Sequence, residues 1–448
     1  MSKDIQQMLH RIRQAGVIGA GGAGFPTHVK YQAKVEKVIA NGAECEPLIR
    51  VDQQQMARNP RLVLRGLLIA MQCTGASKGI VALKAKYHDA IDALEEQIRL
   101  QRLQDRVSLF LLDNFYPAGD EFVLVREVTG AAIPEFGLPL DVGVVVSNVS
   151  TLIDVAKAVD EQKPVVERTV TVTGRVARPA TFTVPVGSPV SSLVEAAGGA
   201  LVEPAYIVSG GPMMGKLVYD QETPVTKTTS ALLVLGEQDP VIKRRLDSME
   251  RQIALTRSAC LKCMMCTEVC PRNQLGHRLV PDRLMRNMAA GVVQDPQAFV
   301  GSYLCSECGL CAVYGCVMNL DPCRVNITMK TELAKAKVPR PEPPLNPPRI
   351  FGDLRKVPTL RLIARLGLTE LDVPAPMTRF DQRIKKFRIP LNQHIGTPAK
   401  AMVKQGDRVE SGQVIGDVPE GKLGALVHAP CTGVVSMVTD DEVTIELE

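Results

Sequence analysis

Two residue patterns in this chain of 448 residues have the types and spacing to do chemistry. Cys260, Cys263, Cys266 and Cys270 form C-x2-C-x2-C-x3-C followed by Pro271, and Cys305, Cys308, Cys311 and Cys316 form C-x2-C-x2-C-x4-C with no following Pro. Three thiolates on one tight loop can each bind a different iron corner of a [4Fe–4S] cubane, while the fourth corner needs a thiolate arriving from elsewhere. The second pattern is Gly19-Ala20-Gly21-Gly22-Ala23-Gly24, which satisfies G-x-G-x-x-G, with Glu44 downstream. A dinucleotide fingerprint needs a strand before such a run and a helix after it. Here a helix-like stretch precedes it, and Phe25-Pro26 falls where the phosphate-binding helix should continue, so the run is either a ligand loop of another kind or a turn-rich loop.

Two-cluster ferredoxins exchange their fourth ligands between runs. Cluster one is therefore expected from Cys260, Cys263, Cys266 and Cys316, and cluster two from Cys305, Cys308, Cys311 and Cys270, on a helical ferredoxin-like background. The competing reading is structural zinc, but zinc modules pair Cys across a longer loop and do not use uninterrupted triplets. Cys323 is left over in this region, and Cys45, Cys73 and Cys431 have no partner by spacing, so all four read as inert.

Length sets a prior of about three domains. Of the 12 Cys, nine lie between Cys260 and Cys323, in a chain that opens on a charged periodic helix with no apolar signal region, so a disulfide scaffold is the weaker reading. No apolar run reaches the length of a membrane span, since Leu62–Met71 is interrupted by Arg65. A formal charge of +5 without a basic block does not favour nucleic acid. A soluble, cytoplasmic protein is expected.

The elements that must position these residues follow from periodicity. Ile5, Met8, Leu9 and Ile12 recur at helical spacing, giving an opening helix that either docks on its own domain or serves as a targeting or partner-binding segment. From residue 35 to 160, short apolar runs alternate with helical stretches, an α/β layer texture. Residues 166–235 carry period-two strands around a short helix at Ser191–Ala197, an α+β module. The cysteine region spans 248–337. Residues 338–388 begin with six Pro between Pro339 and Pro348 and read as a stiff extended linker, and 389–448 show the Gly-punctuated short strands of a β hammerhead or barrel-sandwich.

Four ordered motifs sharpen the first unit: Gly21-Gly22-Ala23-Gly24-Phe25-Pro26-Thr27 with Lys30, Asn41-Gly42-Ala43-Glu44-Cys45-Glu46-Pro47, Tyr116-Pro117-Ala118-Gly119-Asp120-Glu121 and Ser147-Asn148-Val149-Ser150-Thr151. Together they resemble the flavin-binding domain shared by the NADH-oxidising subunit of respiratory complex I and the C subunit of the Rnf complex. The resemblance implies an FMN- and NADH-binding α/β domain over 1–165. It carries over Gly19, Gly21, Gly22, Gly24, Lys30, Asn41, Glu44, Tyr116, Gly119, Asn148 and Thr151 as flavin contacts, with Glu46, Asp120 and Glu121 near flavin or nicotinamide. Ala20 stands where the complex I protein has Arg, and His28 where it has Gly, which leaves the phosphate contacts in question. Residues 166–235 resemble the soluble-ligand-binding β-grasp module of the same family. In the tail, Lys422 before Ala429-Pro430 also fits a biotinyl or lipoyl hairpin, without the Met neighbours that biotin requires.

The order of the units, with the hammerhead after the cysteines, is most similar to the cobalamin reductases of propanediol-utilisation bacterial microcompartments. That resemblance implies FMN, two [4Fe–4S] clusters, NADH as donor and a corrinoid substrate. It also implies a corrinoid adenosyltransferase and a shell protein as partners, with a homo-oligomer left open. No catalytic acid or base is demanded. The alternatives are delivery of the same electrons to another redox partner, or a non-catalytic ligand-binding scaffold with structural clusters.

Overall fold

The computed structural model describes residues 2–291, 296–342 and 347–447. Its first unit is a parallel four-stranded sheet in the order Val107–Leu112, Lys78–Lys84, Lys37–Gly42, Val144–Asn148. Strands covered on both faces can be apolar at every position. Val38 and Ala40 accordingly join the core under the helices Pro60–Thr74 and Val149–Asp160, while Ile39 faces the opposite core with Phe115, Leu124 and Val146. The two helices meet at Gly66, where a Cβ would lie 2.0 Å from the Leu152 carbonyl oxygen, so only glycine allows the approach. The opening helix Lys3–Gln14 buries Met8, Leu9 and Ile12 in the first of these cores, so its apolar stripe is spent on its own unit.

The second unit is a mixed five-stranded sheet, Ala180–Pro185, Glu167–Gly174, Ala231–Gly236, Ala205–Ser209, Lys216–Val218, packed on the helix Val190–Ala196. The cysteine region is helical: Met249–Ala259, Pro281–Ala290 and Pro322–Lys335 enclose Leu284, Met285, Leu320 and Val325. The tail forms two small antiparallel sheets, one led by Lys386–Pro390 and Glu442–Glu446, the other by Val414–Asp417, around Phe387, Ile389, Ile415, Val435 and Ile445.

The stretch expected to be a linker is corrected by its described part. Residues 343–346, including Pro343 and Pro344, lie outside the described residues. Beyond them, Val357-Pro358 pairs antiparallel with Phe115-Tyr116, and the helix Thr359–Arg365 buries Leu362 and Ile363, with Leu366 and Leu368 after it. These side chains share one core with Tyr116, Leu235, Val241 and Leu310, which come from the other three units. Proline density marks only residues 339–348 of the stretch. The apolar run behind it gains more by burial than an extended spacer could keep.

The tail returns to the start of the chain. Lys227 is 2% exposed and donates to the carbonyl oxygens of Gly16 and Leu426, both at 2.8 Å. It thereby ties the first, second and last units at one point, with the His428 ring donating to the Gln14 carbonyl beside it. Replacing Lys227 by Met strands two buried carbonyls, so Lys227→Met is expected to lower stability by roughly 2–5 kcal/mol. Hydrogen exchange should rise at residues 14–16 and 426–428; unchanged exchange there contradicts the clamp.

Candidate functional site

A cleft opens where the first sheet ends and the β-grasp sheet begins. Its wall includes Ala20, Gly21, Asn41, Glu44, Cys45, Glu46, Asp52, Gly119, Asn148, Ser150, Arg168 and Thr169, with polar groups converging from both sheets. Strand ends supply much of the wall. Asn41 stands near the end of Lys37–Gly42 and donates through Nδ2 to the Gly119 carbonyl at 2.9 Å. Asn148 closes the neighbouring strand and caps the helix Val149–Asp160, accepting from Ser150 N at 2.8 Å while its Nδ2 donates to Asp52 at 2.8 Å.

The glycine loop is fitted against these groups. Ala20 N donates to Thr151 Oγ1 at 2.9 Å, and a Cβ on Gly21 would come within 2.9 Å of Asn148 Nδ2. Nothing stands within 4 Å of a Cβ built on Gly22. Among the described residues, the backbone N–H groups of Gly21 and Gly22 donate to no protein acceptor, so the loop holds donors for an anion beside a helix N-terminus. Those residues fit a flavin mononucleotide.

Three half-buried carboxyls line the cavity. Glu44, held at φ +35°, accepts from Asp52 N at 2.7 Å and from Gln53. Burial pushes Glu44 upward, and burial with repulsion from Glu44 pushes Asp52 upward, so the pair retains a proton that two separate carboxylates would release. Glu46 accepts from Met213 N and Met214 N, both at 3.0 Å, yet its desolvation outweighs these bonds and lifts it to about 7.

Of the positions expected to touch the cofactor, Gly21, Asn41, Glu44, Glu46, Gly119 and Asn148 form the wall. Thr151 supports the loop from behind. Gly24, at φ +74°, turns away toward the tail, where a Cβ would meet the Gln393 carbonyl oxygen at 2.9 Å, and Gly19 N donates to the Phe25 carbonyl within the loop. Lys30 and Glu121 are not brought to the wall: Lys30 donates to the Val146 carbonyl at 2.7 Å and pairs with Glu121 at 3.2 Å. Asp120 caps the helix Glu121–Thr129 and pairs with Arg272 at 2.9 Å, whose guanidinium lies 3.7 Å over the Phe122 ring. The Tyr116 hydroxyl donates to the Cys308 carbonyl at 2.8 Å and reaches Glu46 Oε1 at 3.4 Å. Asp52, Ser150 and Arg168 are not legible as wall residues in the sequence, because spacing carries no signal for side chains that arrive from other elements.

The cysteines collect in two cavities. Cys260, Cys263, Cys266 and Cys316 line one, and Cys270, Cys305, Cys308 and Cys311 line the other, with Cys323 as a fifth thiol. Both loops use the same backbone device. The residues before and after the middle Cys are left-handed: Lys262 (φ +54°) and Met264 (φ +64°) in one, Glu307 (φ +63°) and Gly309 (φ +77°) in the other. Three non-glycine residues held in that region point to a constrained loop wrapped about a centre. Glu307 N donates to Cys305 Sγ at 3.4 Å, the kind of N–H···S bond that tunes a cluster. The donor sets fit cubane corners. The second cavity lies against the flavin unit through Tyr116 and Arg272.

Comparison with known proteins matches each unit. Residues 12–157 match the Nuo51 FMN-binding domain, 169–217 the SLBB domain, 259–321 the 4Fe-4S dicluster domain and 377–446 the RnfC barrel sandwich hybrid domain. The chain is 43% identical over 445 residues to cobalamin reductase PduS of Salmonella typhimurium, covering 99% of this chain and 97% of that one. It is 36% identical over 273 residues to the C component of the Na(+)-translocating ferredoxin:NAD(+) oxidoreductase complex of Acetobacterium woodii, covering 60% of this chain and 58% of that one. Among solved structures, an NAD+-reducing [NiFe]-hydrogenase aligns with a TM-score of 0.50 at 23% identity, over 75% of this chain and 63% of that chain, a likeness of fold.

Glu46 gives the site a titration that can be measured. Unfolded, a Glu releases its proton near its ordinary value of 4.5, whereas folded Glu46 holds it to about 7. The folded state therefore carries more protons between these values, and stability falls as pH rises through the interval. The thermal midpoint should decline from about pH 5 to pH 7 and level off above, and Glu46→Gln should lose that component of the slope. A slope unchanged in Glu46→Gln contradicts the assignment.

Proposed function

The chain belongs to the cobalamin reductase family, and from that premise we propose that it is an NADH-dependent flavin and iron–sulfur oxidoreductase acting on the cobalt of a corrinoid. FMN in the cavity supplies the conversion between a two-electron donor and one-electron acceptors. One NADH gives NAD+, a proton and two electrons, which reduce two cob(III)alamin to two cob(II)alamin. Gly21, Asn41, Glu44 and Asn148 hold and orient the flavin, and Glu46 sets a titratable carboxyl beside it. Two [4Fe–4S] clusters are held by Cys260, Cys263, Cys266 with Cys316, and by Cys305, Cys308, Cys311 with Cys270. Cys323 stands beside the second set as a neighbour that shapes its surroundings.

The observation that carries this reading is the Tyr116 hydroxyl, seated between the cavity carboxyl Glu46 and the carbonyl of Cys308. It sets the flavin cavity and the second cysteine cavity back to back, the arrangement that short-range electron transfer needs. The reduced corrinoid passes to an adenosyltransferase partner inside a bacterial microcompartment, and a shell protein docks the enzyme there. The names of the relatives support the corrinoid, and no helix among the described residues is long and apolar enough to cross a membrane.

Anaerobic mixing of the FMN- and iron-loaded protein with NADH and hydroxocobalamin, followed in the visible spectrum, tests this. Cob(II)alamin should appear only when NADH, flavin and clusters are all present. Flavin bleaching by NADH without reduction of cob(III)alamin or cob(II)alamin sends the electrons to a different acceptor.

A further inference from the structure

The flavin cavity holds a cation that comes from outside the flavin unit. Arg168 lies second in the strand Glu167–Gly174 of the β-grasp sheet, yet it stands in the cavity wall with Gly21, Asn148 and Ser150. It is 6% exposed, and its Nη1 donates to Asp154 Oδ2 at 2.8 Å. Its Nε and Nη2 are buried with no protein partner among the described residues. A guanidinium presents its N–H groups as a planar fork matched to carboxylate or phosphate, and a buried edge left without a partner is costly, a cost that a small turn of the side chain toward an anion in the cavity would relieve.

The surroundings specify the ligand end. Asp154 lies one turn beyond Ser150 on the helix Val149–Asp160, which places the guanidinium on the side of a helix start already capped by Asn148 and bonded to Asp52, so the anion it would meet lies toward the glycine loop. The free N–H groups of Gly21 and Gly22 belong to the loop that forms the same wall. The glycine loop itself has no cation from Gly19 to Phe25. Lys30, the cation expected there, is tied to Glu121 and to the Val146 carbonyl.

We propose that Arg168 binds the phosphate of FMN, so that the β-grasp unit supplies the cation that the glycine loop lacks. The inference rests on FMN being the occupant of this cavity. It makes the cavity a joint product of two units and gives the β-grasp sheet a ligand-binding role at its edge with the flavin sheet.

The test titrates the deflavinated, cluster-loaded protein with FMN and with riboflavin, which lacks the phosphate, and follows quenching of flavin fluorescence. Wild type should prefer FMN. Arg168→Met should lose about 10–100-fold in FMN affinity with riboflavin affinity unchanged, and Arg168→Lys should fall between. Because Arg168→Met leaves the half-buried Asp154 unpaired, the double variant Arg168→Met/Asp154→Asn is measured beside it, with thermal unfolding and cluster EPR as checks of the fold. A folded double variant that keeps the wild-type preference for FMN over riboflavin overturns the proposal, as does a wild type with no preference. A wild type that binds neither flavin overturns the FMN reading beneath it as well, which separates the two failures.

Discussion

Glu46 is a carboxyl held from three directions, and the registry of the units follows from it. The Met213 and Met214 N–H groups of the β-grasp turn donate to its two oxygens, and the Tyr116 hydroxyl of the flavin unit reaches it while donating to the Cys308 carbonyl of the second cysteine loop. A Cβ on Gly211 would lie 1.9 Å from Glu46 Oε2, so the turn can close on the carboxyl only as glycine. Burial raises the affinity of Glu46 for its proton, because the position offers hydrogen bonds but little water. One side chain thereby fixes the distance from a cofactor wall to a cysteine loop 262 residues later in the chain (308 − 46).

The remaining units brace this junction. Tyr116 is itself pinned by the pairing of Phe115-Tyr116 with Val357-Pro358, and the side chains that follow enter a core to which all but the last unit contribute. Lys227 performs a similar service at the other end, binding carbonyls of the first and last units from the second. The molecule is better described as four folds sharing two staples than as modules joined by spacers. An electron-transfer protein has reason to be built this way, since a change of centre-to-centre distance alters its rate whereas a shift of a peripheral loop does not.

Much of this is legible in the sequence where chemistry is local. The parallel sheet can be read from apolar runs such as Ile80–Leu83, and the opening helix from Ile5, Met8, Leu9 and Ile12, because strand and helix periodicities are written by adjacent residues. The cysteine triplets announce their chemistry because one loop carries three corners of a cubane. The four flavin motifs become informative only together and through resemblance. What stays hidden depends on contacts between distant segments. Arg168 reads as an ordinary strand residue, and Asp52 as the first-turn acid of a helix, until the fold brings both to one wall. Cys323 reads as inert until the helix Pro322–Lys335 sets it beside Cys305 and Cys311. The 338–388 stretch misleads because its prolines are conspicuous and its buried leucines are not.

Electrons from NADH can reach both cysteine cavities only if the flavin cavity, the Tyr116 junction and the two loops are functionally continuous. An anaerobic NADH titration of the FMN-loaded protein, followed by EPR with parallel iron, sulfide and zinc analysis, tests that continuity most directly. The predicted result is about eight iron and eight sulfide per chain and the signals of two reduced cubanes appearing with NADH alone. Zinc in place of iron, or cubanes that dithionite reduces and NADH does not, contradicts it.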